Sequence, residues 1–122
     1  MDYVILYVRD LDESVRFYRE VLGLPFGDRM ETYAEFRLAN LKLGLLDRRV
    51  VPDLLGGDPG RGGGSEIVFL VEDVDAEAER LRAGGARILS GPSDRPWGHR
   101  TLHLSDPDGH VVELAQEIVR SS

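Results

Sequence analysis

The sequence predicts an α+β fold made of two tandem βαβββ modules in one domain, which suits a chain of 122 residues. Two β-prone apolar runs, 4–8 and 67–71, lie at a fixed offset of 63 residues. Each run is followed by an Asp-x-Asp motif, at 10–12 and 73–75, and then by a helical pattern of apolar residues. A period this long indicates a duplicated module rather than a solenoid.

The first module is predicted to begin with a strand at residues 3–8, Tyr-Val-Ile-Leu-Tyr-Val, which is apolar on both faces and is therefore expected to be buried on both. Asp10 and Asp12 are both candidates for the N-cap of a helix that ends at Gly23. Further strands are expected at 31–38 and 41–46, and the module ends near residue 50.

A flexible linker is predicted over residues 51–65, because the stretch 56–65 is dominated by glycine and cannot pack a core. A phosphate-binding glycine loop is the alternative. It is disfavoured because Ser65 leads into a strand rather than a helix. The second module, residues 66–120, then repeats the pattern with a strand at 66–71 and a helix at 76–82.

The end of the second module is predicted to be a strand at 86–89 followed by a hairpin. The hairpin turns at Asp-Pro-Asp-Gly, residues 106–109, where proline presets φ and glycine accepts a positive φ. Its predicted register sets Leu102 opposite Leu114, Leu104 opposite Val112 and His103 opposite Glu113. Glu113 lies in an otherwise apolar strand, where burying a carboxylate is costly without a partner.

Composition excludes several classes of function. The formal net charge of −7 disfavours binding to a nucleic-acid phosphate backbone. No apolar run approaches the roughly 20 residues that span a bilayer, so a membrane partner is not expected. The chain has no cysteine, which excludes disulfides and thiolate metal sites. A cytoplasmic location is the expectation.

Each module is expected to cover its helix with one sheet face and to leave the other face open, so that the two open faces enclose a cleft for a small molecule. The cleft-facing residues are predicted from period-two alternation along the strands.

Two segments resemble the signatures of the vicinal oxygen chelate superfamily, which includes glyoxalases, bleomycin-resistance proteins and extradiol dioxygenases. Residues 8–24 (Val-Arg-Asp-Leu-Asp-Glu-Ser-Val-Arg-Phe-Tyr-Arg-Glu-Val-Leu-Gly-Leu) are similar to its first-module signature. Residues 96–98 (Pro-Trp-Gly) and 106–114 (Asp-Pro-Asp-Gly-His-Val-Val-Glu-Leu) are similar to its second-module signature. The resemblance implies a cupped, mixed, mostly antiparallel sheet and a homodimer.

The resemblance also implies where metal ligands would stand. Metal-dependent members carry them early in the first strand and within the last strand of each module. The corresponding positions here are Tyr3, Gly44, Glu66 and Glu113. Only Glu113 matches the usual ligand type, and the histidines of a 2-His-1-carboxylate iron site are missing. No cofactor is therefore expected. If a divalent metal binds, Glu66 and Glu113 are its predicted ligands.

Ligand-binding residues are predicted on the open faces and at the loop before the final hairpin. They are Tyr3, Tyr7, Arg37, Glu66, Trp97, His103 and Glu113. His103 and Glu113 are the candidate catalytic residues, acting as a general acid/base pair, and a purely structural cross-strand pair is the alternative. Arg37, interpreted as the first-module counterpart of His103, would bind an anionic group. Trp97 would stack on a planar ligand, or plug the loop over the core.

Three functions are compatible with these features. The first is metal-free binding of a small, largely apolar or aromatic molecule. The second is a glyoxalase-like lyase or dioxygenase-like enzyme with an atypical carboxylate-rich metal site. The third is a metal-free lyase or isomerase that uses His103 with Glu113. The sequence favours the first because the metal positions depart from the usual ligand types.

Overall fold

A computed structural model describes residues 3–55, 57 and 65–118. The chain divides into two compact units, Met1–Gly62 and Gly63–Ser122. Within the described ranges, no helix combines the length and apolar character needed to cross a membrane.

The first unit contains four strands and short helices. Its elements are β1 (Tyr3–Val8), α1 (Leu11–Arg16), a π-helical turn (Phe17–Val21), β2 (Phe26–Arg29), β3 (Tyr33–Arg37), β4 (Lys42–Asp47), a 3₁₀ turn (Arg48–Val50) and α2 (Val51–Leu55). The sheet order is β1-β4-β3-β2. β1 pairs with β4 in parallel, and the other two pairings are antiparallel.

The helix of this unit begins and ends as the sequence predicts. The Asp10 carboxylate accepts a hydrogen bond from the Glu13 backbone N–H, which caps the helix N-terminus. Gly23 follows the helical segment with φ +74°, a conformation that glycine adopts without steric cost. The helix packs on β3 and β4, where Phe36, Leu43 and Leu45 are buried.

Two features of this unit differ from the sequence-based expectations. β2 was not identified as a separate strand, because Phe-Gly-Asp-Arg is short and lacks an apolar alternation. Residues 51–55, assigned to the linker, form α2, and Val51 is fully buried. Residues 56 and 58–64, the rest of the predicted linker apart from Gly57 and Ser65, lie outside the described residues.

The second unit repeats the arrangement. Its elements are β5 (Glu66–Leu70), α3 (Val74–Ala83), β6 (Arg87–Asp94), β7 (His99–Ser105) and β8 (Val111–Glu117). The sheet order is β5-β8-β7-β6, with β5 and β8 parallel. Asp73 caps α3 through the Ala76 backbone N–H, as Asp10 caps the first helix. β6 is longer than the predicted strand at 86–89 because it continues through the register shifts around Gly91.

The final hairpin has the predicted register. β7 and β8 pair Leu102 with Leu114, Leu104 with Val112 and His103 with Glu113. In its turn, Asp106 Oδ1 accepts hydrogen bonds from the backbone N–H groups of Asp108 and His110, and Gly109 has φ +88°. The turn chemistry predicted for Asp-Pro-Asp-Gly is therefore confirmed.

In each unit, the helix covers one side of the sheet, and we call the other side the open face. The expectation that β1 is buried on both sides is wrong, because Tyr3 and Ile5 on the open face are 47% and 48% exposed within the chain. Val68 and Leu70 of β5 are likewise 47% and 66% exposed. The helices α1 and α3 each cover only one face of their sheet, so apolar side chains remain on the other.

Candidate functional site

Three ionisable side chains meet on the open face of the second unit, and we call them the His103 cluster: Glu66, His103 and Glu113. His103 Nε2 lies 2.8 Å from Glu113 Oε1 and 3.4 Å from Glu66 Oε2. Glu113 is only 7% exposed, whereas the Glu66 side chain is 41% exposed. The imidazole therefore satisfies a nearly buried carboxylate and reaches a second one at the sheet edge.

The strand register assembles this cluster. His103 and Glu113 are direct cross-strand partners of β7 and β8, where Cβ atoms lie about 4.5–5.5 Å apart. Glu66 begins β5, the parallel neighbour of β8. The sequence predicted the His103–Glu113 contact and the position of Glu66 on the same face, and the structure brings all three together.

The hydrogen-bonding of His103 indicates its tautomer. Nε2 faces two carboxylate oxygens, which accept hydrogen bonds when ionised, so Nε2 carries a proton. Nδ1 is buried and has no hydrogen-bond partner among the residues that the structure describes. A proton on Nδ1 would be a buried donor without an acceptor, which costs about 1–3 kcal/mol. Of the two neutral tautomers, the one protonated on Nε2 is therefore the one that these contacts favour.

The first unit has a different set of side chains at the corresponding place, and we call them the Lys42 cluster: Tyr3, Tyr33, Glu35 and Lys42. Lys42 Nζ lies 3.5 Å from Tyr3 Oη, 5.4 Å from the centroid of the Tyr3 ring and 3.9 Å from Glu35 Oε2. Tyr33 Oη donates a hydrogen bond to Glu35 Oε1 at 3.1 Å. A cation, a carboxylate and two phenols thus occupy the open face of this sheet.

Gly44 is the first-unit counterpart of Glu113, as the sequence alignment predicted. Ile5 pairs with Gly44 as Val68 pairs with Glu113. The Tyr33 side chain lies directly over Gly44, since a Cβ there would fall 2.7 Å from Tyr33 Oη. Burial, together with the hydrogen bond to Glu35, raises the pKa of Tyr33 from 10.0 to about 12. Tyr33 thus stays a neutral phenol in the space where a ligand side chain at position 44 would project.

The interpretation of Arg37 as the counterpart of His103 is wrong. Glu35 pairs with Gly44 as His103 pairs with Glu113, so Glu35 is the equivalent residue. Arg37 lies two residues further along β3, on the same open face, where it pairs with Lys42. The turn of the first hairpin is also one residue shorter than that of the second. Leu38 N–H donates to Leu41 O in the first, and Asp106 N–H donates to His110 O in the second.

Tyr7 and Trp97 lie in different surroundings. Tyr7 continues the open-face row of β1 and is half-buried. Trp97 lies in the turn before β7 and is 65% exposed, so it does not plug the core. Its stacking role stays a prediction.

The metal implied by the sequence resemblance finds few suitable donors in the first unit. Position 44 has no side chain, and Tyr3 Oη lies against a lysine ammonium. In the second unit, one donor atom from each residue of the His103 cluster lies within 4.8 Å of the others, so these three residues are the set that would hold an ion. However, a metal on Nε2 would move the proton to Nδ1. Metal-bound histidines almost always donate that proton to an acceptor, and none of the described residues provides one.

Tyr33, Glu35 and Lys42 were not predicted as site residues. Their signal was present, because alternation places Lys42 beside Gly44 on one face of β4 and places Tyr33 and Glu35 on the matching face of β3. Because Arg37 was aligned with His103, Glu35 was not recognised as the residue equivalent to His103. What the sequence did not contain was the direction of the Tyr33 ring across Gly44.

Comparison with known proteins gives consistent matches along most of the chain. Residues 1–114 match the family model described as Glyoxalase/Bleomycin resistance protein/Dioxygenase superfamily. The chain is 34% identical to the uncharacterized protein YraH of Bacillus subtilis, over 89% of this chain and 91% of that protein. It is 30% identical to a probable lactoylglutathione lyase of Synechocystis, over 93% and 92%. It is 31% identical to an ethylmalonyl-CoA/methylmalonyl-CoA epimerase of Cereibacter sphaeroides, over 95% and 96%.

Solved structures show the same fold. A glyoxalase/bleomycin resistance protein/dioxygenase from Nocardioides aligns with a TM-score of 0.79 at 28% identity, covering 99% of this chain and 85% of that one. A glyoxalase-related enzyme from Fulvimarina pelagi aligns with a TM-score of 0.86 at 24% identity, covering 96% and 87%. The predicted fold class, two βαβββ modules with mixed and mostly antiparallel sheets, is confirmed.

Proposed function

The chain belongs to the Glyoxalase/Bleomycin resistance protein/Dioxygenase superfamily, and on that basis we propose that it binds a small, largely apolar or aromatic organic molecule on its open sheet faces, without a metal ion. A fold of this family accommodates many chemistries, so the proposal depends on the side chains of these faces rather than on the fold.

The observation that carries the proposal is the apolar surface on both open faces. Tyr3 and Ile5 in the first unit, and Val68 and Leu70 in the second, are each about half exposed or more. Ligand sites are mostly apolar surfaces with a few polar groups that fix orientation. Here the Lys42 cluster and the His103 cluster supply those polar groups.

The metal-free part of the proposal is supported by how the ligand positions of the first unit are filled. Tyr33 covers Gly44, and Lys42 engages Tyr3. In the second unit, Nδ1 of His103 lacks the acceptor that a metal-bound imidazole needs. These contacts suit an organic ligand better than an ion.

A thermal-shift screen with small aromatic and aliphatic compounds tests the proposal. The protein is first dialysed against a chelator and its metal content is measured. We expect compounds that raise the melting temperature of the chelator-treated protein. Ile5→Ser or Val68→Ser, according to the face on which a hit binds, should weaken its binding by about fivefold to tenfold, because each change removes an apolar contact.

Met30→Ser is the matched control, because Met30 is 57% exposed and lies outside the strands. Its variant should bind as the wild type does. Stoichiometric metal in protein purified without chelator, together with binding that disappears after chelation, would contradict the metal-free proposal. Equal effects of the Ile5, Val68 and Met30 variants would contradict the assignment to the open faces.

Metal-free proton transfer is a second candidate function, and the His103–Glu113 contact favours it. An imidazole can take up a proton from a ligand and return it, and the contact with Glu113 holds the ring in place for this transfer. The resemblance to an epimerase is compatible with such chemistry. Under this candidate the ligand is converted into an isomer or cleaved, rather than only held.

His103→Gln separates the two candidates, because glutamine can still donate a hydrogen bond to Glu113 but cannot shuttle protons. A screening hit is incubated with wild type and variant, and its proton exchange with deuterated water is followed by NMR. Exchange that the wild type catalyses and the variant does not, with binding retained in both, establishes proton transfer. A hit that remains unchanged with the wild type supports simple binding.

We also propose that the chain forms a homodimer, which the family resemblance implies. Sedimentation velocity checks this independently of any ligand. A single species with the mass of one chain across the micromolar range would refute it.

A further inference from the structure

We propose that the ligand carries an acidic oxyanion, a carboxylate or a phosphate ester, and that Arg37 binds it on the open face of the first unit. This inference rests on the proposed function, since it specifies the chemical class of the molecule that binds there. It concerns a residue outside both the His103 cluster and the Lys42 cluster.

Two cationic side chains lie side by side on the open face of the first unit. Arg37 of β3 and Lys42 of β4 are direct cross-strand partners on the same face. Like charges placed directly opposite each other destabilise a strand pair. The pair therefore places two positive charges side by side on this surface, which attracts an anion to this part of the face.

Glu35, the carboxylate on the same face of β3, already has two neighbours in the chain. Glu35 accepts the Tyr33 hydroxyl at one oxygen, and its other oxygen lies 3.9 Å from Lys42 Nζ. Asp28, on the neighbouring edge strand, accepts the backbone N–H of Arg29. Of the residues in the described ranges, none forms an ion pair with Arg37. Arg37 is exposed, and its guanidinium is available to a ligand.

The backbone of β2 lies beside the Arg37 side chain at Gly27. The register of β2 against β3 shifts between Phe26 and Asp28, and Gly27 lies at the shift. A Cβ on Gly27 would fall 3.1 Å from Arg37 Cγ and 3.3 Å from Arg37 Nε. The Arg37 side chain therefore packs along β2 beside Gly27, and this contact holds part of its stem on the sheet.

The chemistry of the Arg37 guanidinium suits recognition of an acidic group. A guanidinium offers planar, paired donors that match a carboxylate or phosphate, and holding its stem in place reduces the entropy lost on binding. The apolar row of Tyr3, Ile5 and Tyr7 lies on the same face. An amphipathic ligand with an aromatic or aliphatic body and one acidic group fits both features.

A matched panel of compounds tests this inference. Benzoate, phenylacetate and naphthoate are each compared with their neutral amides, and phenyl phosphate distinguishes the two oxyanion types. Binding is measured by isothermal titration with wild type, Arg37→Ala, Arg37→Lys and Arg82→Ala. Arg82 is the control, because it is an exposed arginine on α3, which covers the opposite sheet face of the second unit.

We expect the wild type to bind at least one acid about tenfold more tightly than its amide. Arg37→Ala should remove that preference while leaving amide affinity unchanged, which corresponds to losing one charge-assisted contact. Arg37→Lys should retain part of the preference, and Arg82→Ala all of it.

The outcomes separate this inference from the function on which it rests. Amides and acids that bind equally, or a preference for acids that survives Arg37→Ala, would overturn the role of Arg37 while leaving apolar binding intact. A panel in which neither acids nor amides bind would overturn both. A preference for phenyl phosphate over the carboxylates would assign the phosphate-ester class.

Discussion

The two open faces have the same strand order but opposite chemistry. On β5, β8 and β7, the acidic residues in the open-face rows are Glu66, Glu113 and Glu117, and no lysine or arginine stands among them. On β1, β4 and β3, the equivalent rows contain Glu35 together with Arg37 and Lys42. Duplication therefore preserved the backbone register while the side chains diverged.

The divergence is clearest at the two equivalent positions at the centre of each sheet. Glu113 is a nearly buried carboxylate held by His103, whereas Gly44 has no side chain and lies beneath Tyr33. In one unit an acid is retained and paired. In the other, an aromatic ring from the neighbouring strand fills the space. The same strand pairing therefore forms with a paired carboxylate at this position in one unit and with no side chain in the other.

Replacing His103 should have the largest effect on stability. We expect His103→Ala to cost about 2–3 kcal/mol in free energy of unfolding, because it leaves the buried Glu113 carboxylate without its partner. Glu35→Ala, the equivalent change in the first unit, should cost less than about 1 kcal/mol, because its ion pair with Lys42 is long and partly exposed. Urea denaturation of both variants measures the difference.

Adding Glu113→Gln to His103→Ala is the control, since it removes the uncompensated charge. The double variant should recover part of the loss. If His103→Ala and Glu35→Ala cost the same, the two clusters would contribute equally and the contrast between the units would not hold.

Filling the space above Gly44 should have the next largest effect. Gly44→Ala places a Cβ 2.7 Å from Tyr33 Oη and 2.8 Å from Tyr33 Cε1, so the ring must move and its hydrogen bond to Glu35 is disturbed. We expect a loss of about 1–2 kcal/mol, within the usual range for overpacking. Thermal or urea unfolding measures it.

Gly84→Ala is the matched control, because its Cβ would meet only ordinary contacts at 3.6 Å and its φ is negative. Introducing Gly44→Ala into a Tyr33→Ala background should cost almost nothing, which makes the two changes strongly non-additive. Additive costs would show that Tyr33 does not occupy the space over Gly44.

The features that depend on local sequence pattern could be predicted from the sequence. The Asp10 and Asp73 caps, the turn at Asp106 and the pairing of His103 with Glu113 all follow from residue type and alternation. Laying residues 41–45 over residues 110–114 also identified Gly44 as the counterpart of Glu113, and the strand pairings of the two units agree with this alignment.

Features that depend on tertiary packing were either not predicted or predicted wrongly. An apolar strand looks the same in sequence whether one or both of its faces are covered, so the exposure of Tyr3 and Ile5 could not be predicted. The pairing of β3 with β4 decides which residues face each other, and it places Glu35, two positions before Arg37, opposite Gly44.

The acidity of Tyr33 has no effect on stability near neutral pH, but it gives the sharpest test of the first-unit cluster. Between pH 10 and about 12, the unfolded chain has lost the phenol proton while the folded chain retains it. The folded state then binds more protons than the unfolded state, so its stability falls as the pH rises through this window. In the second unit, the equivalent residue is Thr101, which does not titrate. The tyrosinate absorbance of the wild type should show a late transition near pH 12, whose amplitude Tyr33→Phe lowers by one tyrosine and Tyr7→Phe leaves unchanged. The same late transition in Tyr33→Phe would mean that the contact with Glu35 does not hold the proton, and the contrast between the two faces would then depend on Lys42 and Arg37 alone.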